Sequence, residues 1–189
     1  MKNNKWIPAV LAIFSFLFLT GFWDGKSPQE QRKEIQQMRS RTLNDLYRIE
    51  PEAKNLIQKS TGYAVFSNVG VNLVLLSAAG GSGLAHNNHT GKDTYMNMAS
   101  AGIGIGLGVK DFRGIFVFAN QKVFDRFVTH GWQANAQVDA AAKSDQKGEA
   151  YSYAIDVAPG IKLYQFTENG LALQATIQGT KYWKDSDLN

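Results

Sequence analysis

Ala99-Ser100-Ala101-Gly102-Ile103-Gly104-Ile105-Gly106-Leu107-Gly108-Val109 is the stretch that decides how this chain folds. Aliphatic residues hold every odd position, and serine or glycine every even one. A period of two is strand spacing, because successive side chains leave a pleated backbone on opposite faces. One face is therefore aliphatic and the other nearly bare. A dinucleotide loop needs G-x-G-x-x-G at a strand-to-helix turn, and a P-loop needs a lysine after its glycines. Neither pattern is present. A bare face instead admits another backbone, or an acyl chain, on the inside of a bend.

The same period extends in both directions. Upstream, Tyr63–Phe66 and Val71–Leu76 are short apolar runs suited to buried strands, followed by Ala78–Gly83 and a polar loop, His86–Asp93. Downstream, a turn at Asp111–Gly114 leads into Ile115–Phe118. Asn120 is placed to cap a helix bearing Val123, Phe124, Phe127 and Val128, closed by Gly131. Ala134–Ala140 alternates as a half-buried strand, Lys143–Glu149 is a charged loop, and Tyr151, Tyr153, Ile155 and Val157 alternate up to a Pro159-Gly160 turn. Strands at Ile161–Phe166 and Leu171–Ile177 follow, hinged at Asn169-Gly170, and Lys181–Asn189 reads as a loose tail. Strands joined by short turns predict antiparallel pairing. The fold class is α+β, mainly antiparallel β: a strongly curved sheet or barrel-like sandwich, with an N-terminal helical arm and one inserted helix.

The arm spans 27–60. Ser27 as N-cap, Pro28 in the first turn and Glu30 as capping-box partner open a helix. Ile35, Met38, Thr42, Leu46 and Ile49 form its apolar stripe. Pro51 breaks it, and a shorter helix runs to Lys59, ending at Gly62. The β domain covers 61–180. Before the arm, Met1–Lys5 carries two lysines and Trp6–Leu19 is almost entirely apolar, the pattern of a secretory signal peptide over residues 1–21, with an uncleaved anchor to 25 as the alternative. Phe22 stands where a lipidation site would require cysteine. These features predict an exported protein, periplasmic or attached to the envelope.

The chain of 189 residues is 44% hydrophobic, 19% charged and free of cysteine, which excludes disulfides, thiolate metal sites and a cysteine nucleophile. Its formal charge is +4; without residues 1–25, which hold Lys2, Lys5 and Asp24, 18 basic side chains face 15 acidic ones. That excess permits attraction to an anionic surface. Nucleic acid is not expected, since no dense Lys/Arg stripe with interleaved aromatics occurs. His86, His89 and Asp93 are a possible donor set for a metal, but they fall in an apparent loop, and no metal or other cofactor is expected. Asn88-His89-Thr90 matches a glycosylation acceptor. His130 beside Gly131 suits a helix C-terminus. Ser82 lacks the G-x-S-x-G context of a hydrolase, so no catalytic residues are assigned and the protein is read as a non-enzyme. Trp132, Tyr151, Tyr153, Tyr164, Tyr182 and Trp183 could form a membrane-facing band or be core aromatics.

Leu46-Tyr47, Pro51-Glu52-Ala53, Leu56, Gly62–Phe66, Gly80–Gly83, Ser100–Val109, Ile115–Phe118, Ala134–Ala140, Gly170-Leu171 and Ile177–Gly179 occur in the order found in the SYLF lipid-binding domain, which the chain resembles from about Leu43 onward. It departs at Ser67, where that family commonly has proline, and at Trp132-Gln133-Ala134, where the family has an acidic turn. The resemblance implies association with anionic phospholipid through the domain and its amphipathic N-terminal helix. The expected function is thus an exported protein binding anionic phospholipid or a membrane surface in the cell envelope. Arg32, Lys33, Arg39, Lys54 and Lys59 are the expected lipid-binding residues. The alternative is a non-catalytic structural module that holds an envelope protein partner.

Overall fold

The computed structural model describes residues 26–73, 76–103, 113–133, 154–167, 170–171 and 180–189. The signal segment, Gly104–Val109, the strand at Ala134–Ala140, the loop at Lys143–Glu149, Tyr151, Tyr153 and the run from Ala172 to Ile177 lie outside the described residues.

Local chemistry sets the helices. α1 (Pro28–Ile49) opens with the full capping box: the Ser27 hydroxyl accepts from the Glu30 N–H, and the Glu30 carboxylate accepts from the Ser27 N–H at 2.8 Å. It ends before Pro51, where the Glu50 N–H still reaches the Leu46 carbonyl at 2.7 Å. α2 (Glu52–Lys59) follows directly. α3 (Gln121–His130) is capped by the Asn120 side chain, which accepts from the Val123 N–H at 3.1 Å, and Gly131 ends it at φ 74°.

The strands are β1 (Gly62–Leu73), β2 (Leu76–Asn87), β3 (Asp93–Ile103), β4 (Arg113–Phe118), β5 (Trp132–Gln133), β6 (Ala154–Ala158), β7 (Ile161–Thr167), β8 (Gly170–Leu171) and β9 (Thr180–Lys184). They form one antiparallel sheet in the order β5-β9-β3-β2-β1-β4-β7-β6, with β8 on β7. The sheet is strongly curled into a half-barrel. Side-chain contacts identify its concave face. β9 and β4 are four positions apart in the sheet, about 19 Å if it were flat. Yet the Phe116 and Tyr182 ring centroids are 5.0 Å apart, and those of Phe66 and Tyr182 are 4.7 Å apart. Only a sheet bent toward these rings brings them together.

Ala64, Phe66, Ala85, Met96, Met98, Phe116, Phe118 and Leu163 therefore line the hollow, and Phe124 and Phe127 of α3 fill it. On β2 the hollow requires glycine: a Cβ on Gly83 would strike the Val65 carbonyl and stand 2.5 Å from the Phe66 ring. Met96 and Met98 bring β3 into the same hollow. On the convex side, Leu46 of α1 with Ala53 and Ile57 of α2 bury Tyr63, Val65, Ile115, Val117 and Tyr164, while Ile35 packs on Leu84, Tyr95 and Leu188. Each large apolar side chain removed from water here contributes about 1.5–3 kcal/mol.

The α+β class, the curved sheet, both N-terminal helices and the inserted helix agree with the sequence reading. Four local expectations are corrected. Val71–Leu76 is not a strand of its own: β1 runs to Leu73, and the hairpin falls inside that apolar run. The polar loop is shorter, because His86 and Asn87 close β2 and Asp93 opens β3. Gly62 does not end α2, which Ser60 closes in extended geometry; Gly62 starts β1, where a Cβ would meet the His86 carbonyl at 2.5 Å. Lys181–Asn189 is no loose tail. β9 lies between β3 and β5, Tyr182 is fully buried, and the Asn189 side chain both donates to the Tyr95 carbonyl at 2.8 Å and accepts from the Tyr95 N–H at 2.9 Å.

Gly83→Val is expected to lower the unfolding free energy by about 3 kcal/mol, because the overpacked site has a backbone carbonyl on one side and a core ring on the other. Urea denaturation measures this, and a midpoint equal to wild type would contradict the concave packing.

Candidate functional site

The convex face holds the charged groups. Arg39 Nη1 lies 3.3 Å from both carboxylate oxygens of Asp93, and Asp93 Oδ1 is also 2.6 Å from His86 Nδ1. All three side chains are about one-quarter exposed. Arg32 Nε donates to the Leu188 carbonyl at 2.8 Å, and its guanidinium sits 5.9 Å from the Tyr95 ring centre. Two of the five expected lipid-binding residues are thus engaged in holding α1 on the sheet.

Lys33, Lys54 and Lys59 differ from them. Their side chains are exposed and make no hydrogen bond or ion pair among the described residues. Ile49 and Leu56, at 39% and 38% exposure, keep large apolar side chains at the surface on the same two helices. The structure therefore separates the five cations into two that dock the helix and three that face outward.

A second feature lies between α1 and the β1–β4 pair. Met38, Arg41, Thr42, Asn44, Asp45, Ser67 and Arg113 line an open groove of about 490 Å³. Asp45 Oδ2 accepts from Arg113 Nη1 at 2.8 Å, and its Oδ1 lies 3.0 Å from Arg48 Nη2. Sequence reasoning missed this groove. The helical repeat places Arg41 and Asp45 on one face, but Arg113 arrives only through the pairing of Ser67 with Arg113.

The six aromatics do not make one band. Trp132 and Tyr182 pack together in the hollow at 5.8 Å, Tyr164 lies under α1 and α2, and Trp183 is exposed; Tyr151 and Tyr153 are outside the described residues. Among the described residues no group of three His, Cys, Asp or Glu side chains could hold a metal. His86 is committed to Asp93, His89 lies in the turn after β2, and His130 pairs with the Thr129 hydroxyl at 2.8 Å. No helix among the described residues is long and apolar enough to cross a membrane.

Burial governs the phenols. The Tyr182 hydroxyl has no hydrogen-bond partner among the described residues, and burial pushes it far up from its ordinary value. Tyr164 is pushed up to about 12, first by burial and then by Glu50 and Glu52. A folded-state value above the unfolded one means that the folded chain holds its proton longer. The stability this contributes is complete below about pH 10 and is lost as the pH rises further.

No family model matches the chain. Beta cell expansion factor A of Aeromonas veronii is 39% identical to it over 163 residues, covering 86% of this chain and 60% of that protein. The chain thus spans about three-fifths of that relative's length.

Two outcomes follow from these contacts. Arg39→Ala is expected to cost about 2 kcal/mol and to raise hydrogen exchange in α1, because it removes a charged hydrogen-bonding partner from partly buried Asp93. Tyr182→Phe is expected to change stability at neutral pH by less than about 1 kcal/mol, since it deletes an unpartnered hydroxyl without changing the ring. The same variant should move the alkaline unfolding midpoint upward in urea titrations from pH 8 to 12; an unmoved midpoint would assign alkaline loss to other groups.

Proposed function

We propose that the chain is an exported, SYLF-type lipid-binding protein that associates with anionic phospholipid in the periplasmic envelope and acts by binding, without a catalytic step. The observation that carries this reading is the outward set on α1 and α2: Lys33, Lys54 and Lys59 exposed and unpaired among the described residues, with Ile49 and Leu56 exposed on the same helices. Each basic residue near an anionic bilayer contributes about 1 kcal/mol, and the two apolar side chains are free to enter the headgroup region. Attraction of this kind is screened by salt, with a Debye length of about 8 Å at physiological ionic strength. Arg32 and Arg39 serve this function by keeping α1 seated, so that its lysine stays in fixed relation to the sheet.

Vesicle co-sedimentation tests the proposal. The wild-type chain is expected to sediment with phosphatidylglycerol vesicles at low salt and to remain in solution with phosphatidylcholine. Lys33→Gln, Lys54→Gln and Lys59→Gln together are expected to weaken binding roughly 100-fold. No binding to anionic vesicles even at low salt would sink the reading, and a stoichiometric protein partner recovered in its place would establish the interaction-module alternative.

A further inference from the structure

Among the described residues, the groove between α1 and the β1–β4 pair has more positive charge than its lining neutralises. Among the described residues Asp45 is the one acidic group lining it, and both its oxygens are occupied, one by Arg113 and one by Arg48. Arg41, four residues before Asp45 on the same helix face, lines the groove without a hydrogen bond or ion pair among the described residues. One carboxylate thus answers three guanidiniums.

Donors are in excess as well as charge. A guanidinium carries five N–H groups, and among the described residues Arg113 uses one of them, on Asp45. Its side chain is 28% exposed and that of Asp45 31%, so the pair is set into the groove wall, where water screens it less than at an open surface. Ser67 and Asn44 add neutral donors to the lining. Planar guanidiniums with free N–H groups, set around a cleft, match the oxygens of a phosphate group. The volume, about 490 Å³, lies in the range of small-molecule sites and has room for more than the phosphate alone.

We propose that this groove is a phosphate site, in which Arg41 and Arg113 bind the anionic group of a ligand and Asp45 is the positioning residue that aims Arg113. The proposal deepens the lipid-binding reading and rests on it for the source of the phosphate, a phospholipid headgroup. It also moves specific recognition away from the outward lysines, which supply attraction to the surface in general. Free inorganic phosphate shares the chemistry, and the experiment separates the two sources.

The test is titration of the full chain, labelled with nitrogen-15, followed through the arginine Nε–H signals. The probes are inorganic phosphate and a short-chain phosphatidic acid below its micelle concentration. Phosphatidic acid is expected to shift the Arg41 and Arg113 signals at lower concentration than inorganic phosphate does. Arg41→Ala should weaken that binding about ten-fold, and Lys122→Gln, at an exposed position of α3, should leave it unchanged. Arg41 is exposed and unpaired among the described residues, so its replacement leaves the packing of α1 intact; Arg113→Lys is the second variant, keeping the charge and losing the planar fork. Equal response to both probes supports a phosphate site and overturns the headgroup assignment. Arginine signals unmoved by either probe, or an Arg41→Ala variant that binds as wild type does, overturn the site itself. If the wild-type chain nevertheless sediments with anionic vesicles, the lysine surface stands without the groove. If it sediments with none while inorganic phosphate still shifts Arg41 and Arg113, the groove stands and the lipid reading falls.

Discussion

The contact between Tyr182 and the phenylalanines of the opposite limb is the constraint on which the rest of the structure depends. Those rings belong to strands that a flat sheet would hold about 14 to 19 Å apart, so their contact and the curl of the sheet are the same fact. The curl needs backbone room on the inside, which Gly83 provides by leaving Phe66 free to lie over β2. It also defines an outside. Once the concave side is taken by α3 and the aromatic cluster, α1 and α2 cover the convex face, and the charged side chains collect there.

Seating a helix on the convex face divides its cations by geometry. Side chains pointing along the sheet surface find carboxylates and carbonyls, as Arg39 finds Asp93 and Arg32 finds Leu188. Those on the outer face find solvent, as Lys33 does. Arg41 falls between the two classes, at the rim of a groove whose one acid among the described residues is already shared. The partition follows from the 3.6-residue period laid over a curved surface.

Much of the fold was legible because its signals are local. Ser27 with Glu30 and Asn120 with Gly131 announce helix ends through groups a few residues apart, and alternation announces strands wherever one side is buried. What escaped depends on distant partners. β9 buries only Thr180 and Tyr182, between exposed Lys181, Trp183 and Lys184, too short an alternation to mark a strand; its place is set by pairing with β3, some 84 residues earlier at Met98. The hairpin after Leu73 is hidden because its flanks are apolar on both sides. The candidate site divides in the same way. Exposure of Lys33, Lys54 and Lys59 could be inferred from their helices, whereas the partner of Arg39 is 54 residues away and that of Arg32 is 156 residues away. The groove needs the Ser67–Arg113 register, which no local pattern encodes.

The bond from Arg32 to the Leu188 carbonyl has a mechanical consequence. It joins the first turns of α1 to the end of the last described segment, so Arg32 and Leu188 meet at one corner of the molecule. A tether at either end would present the protein to its attachment point in nearly the same orientation. Tension applied between the ends would be borne first by that corner, through Arg32 and the Asn189–Tyr95 pair, before it reached the long β1–β2–β3 ladder. Load at the termini thus enters the curled sheet at β3, the strand that holds Tyr95.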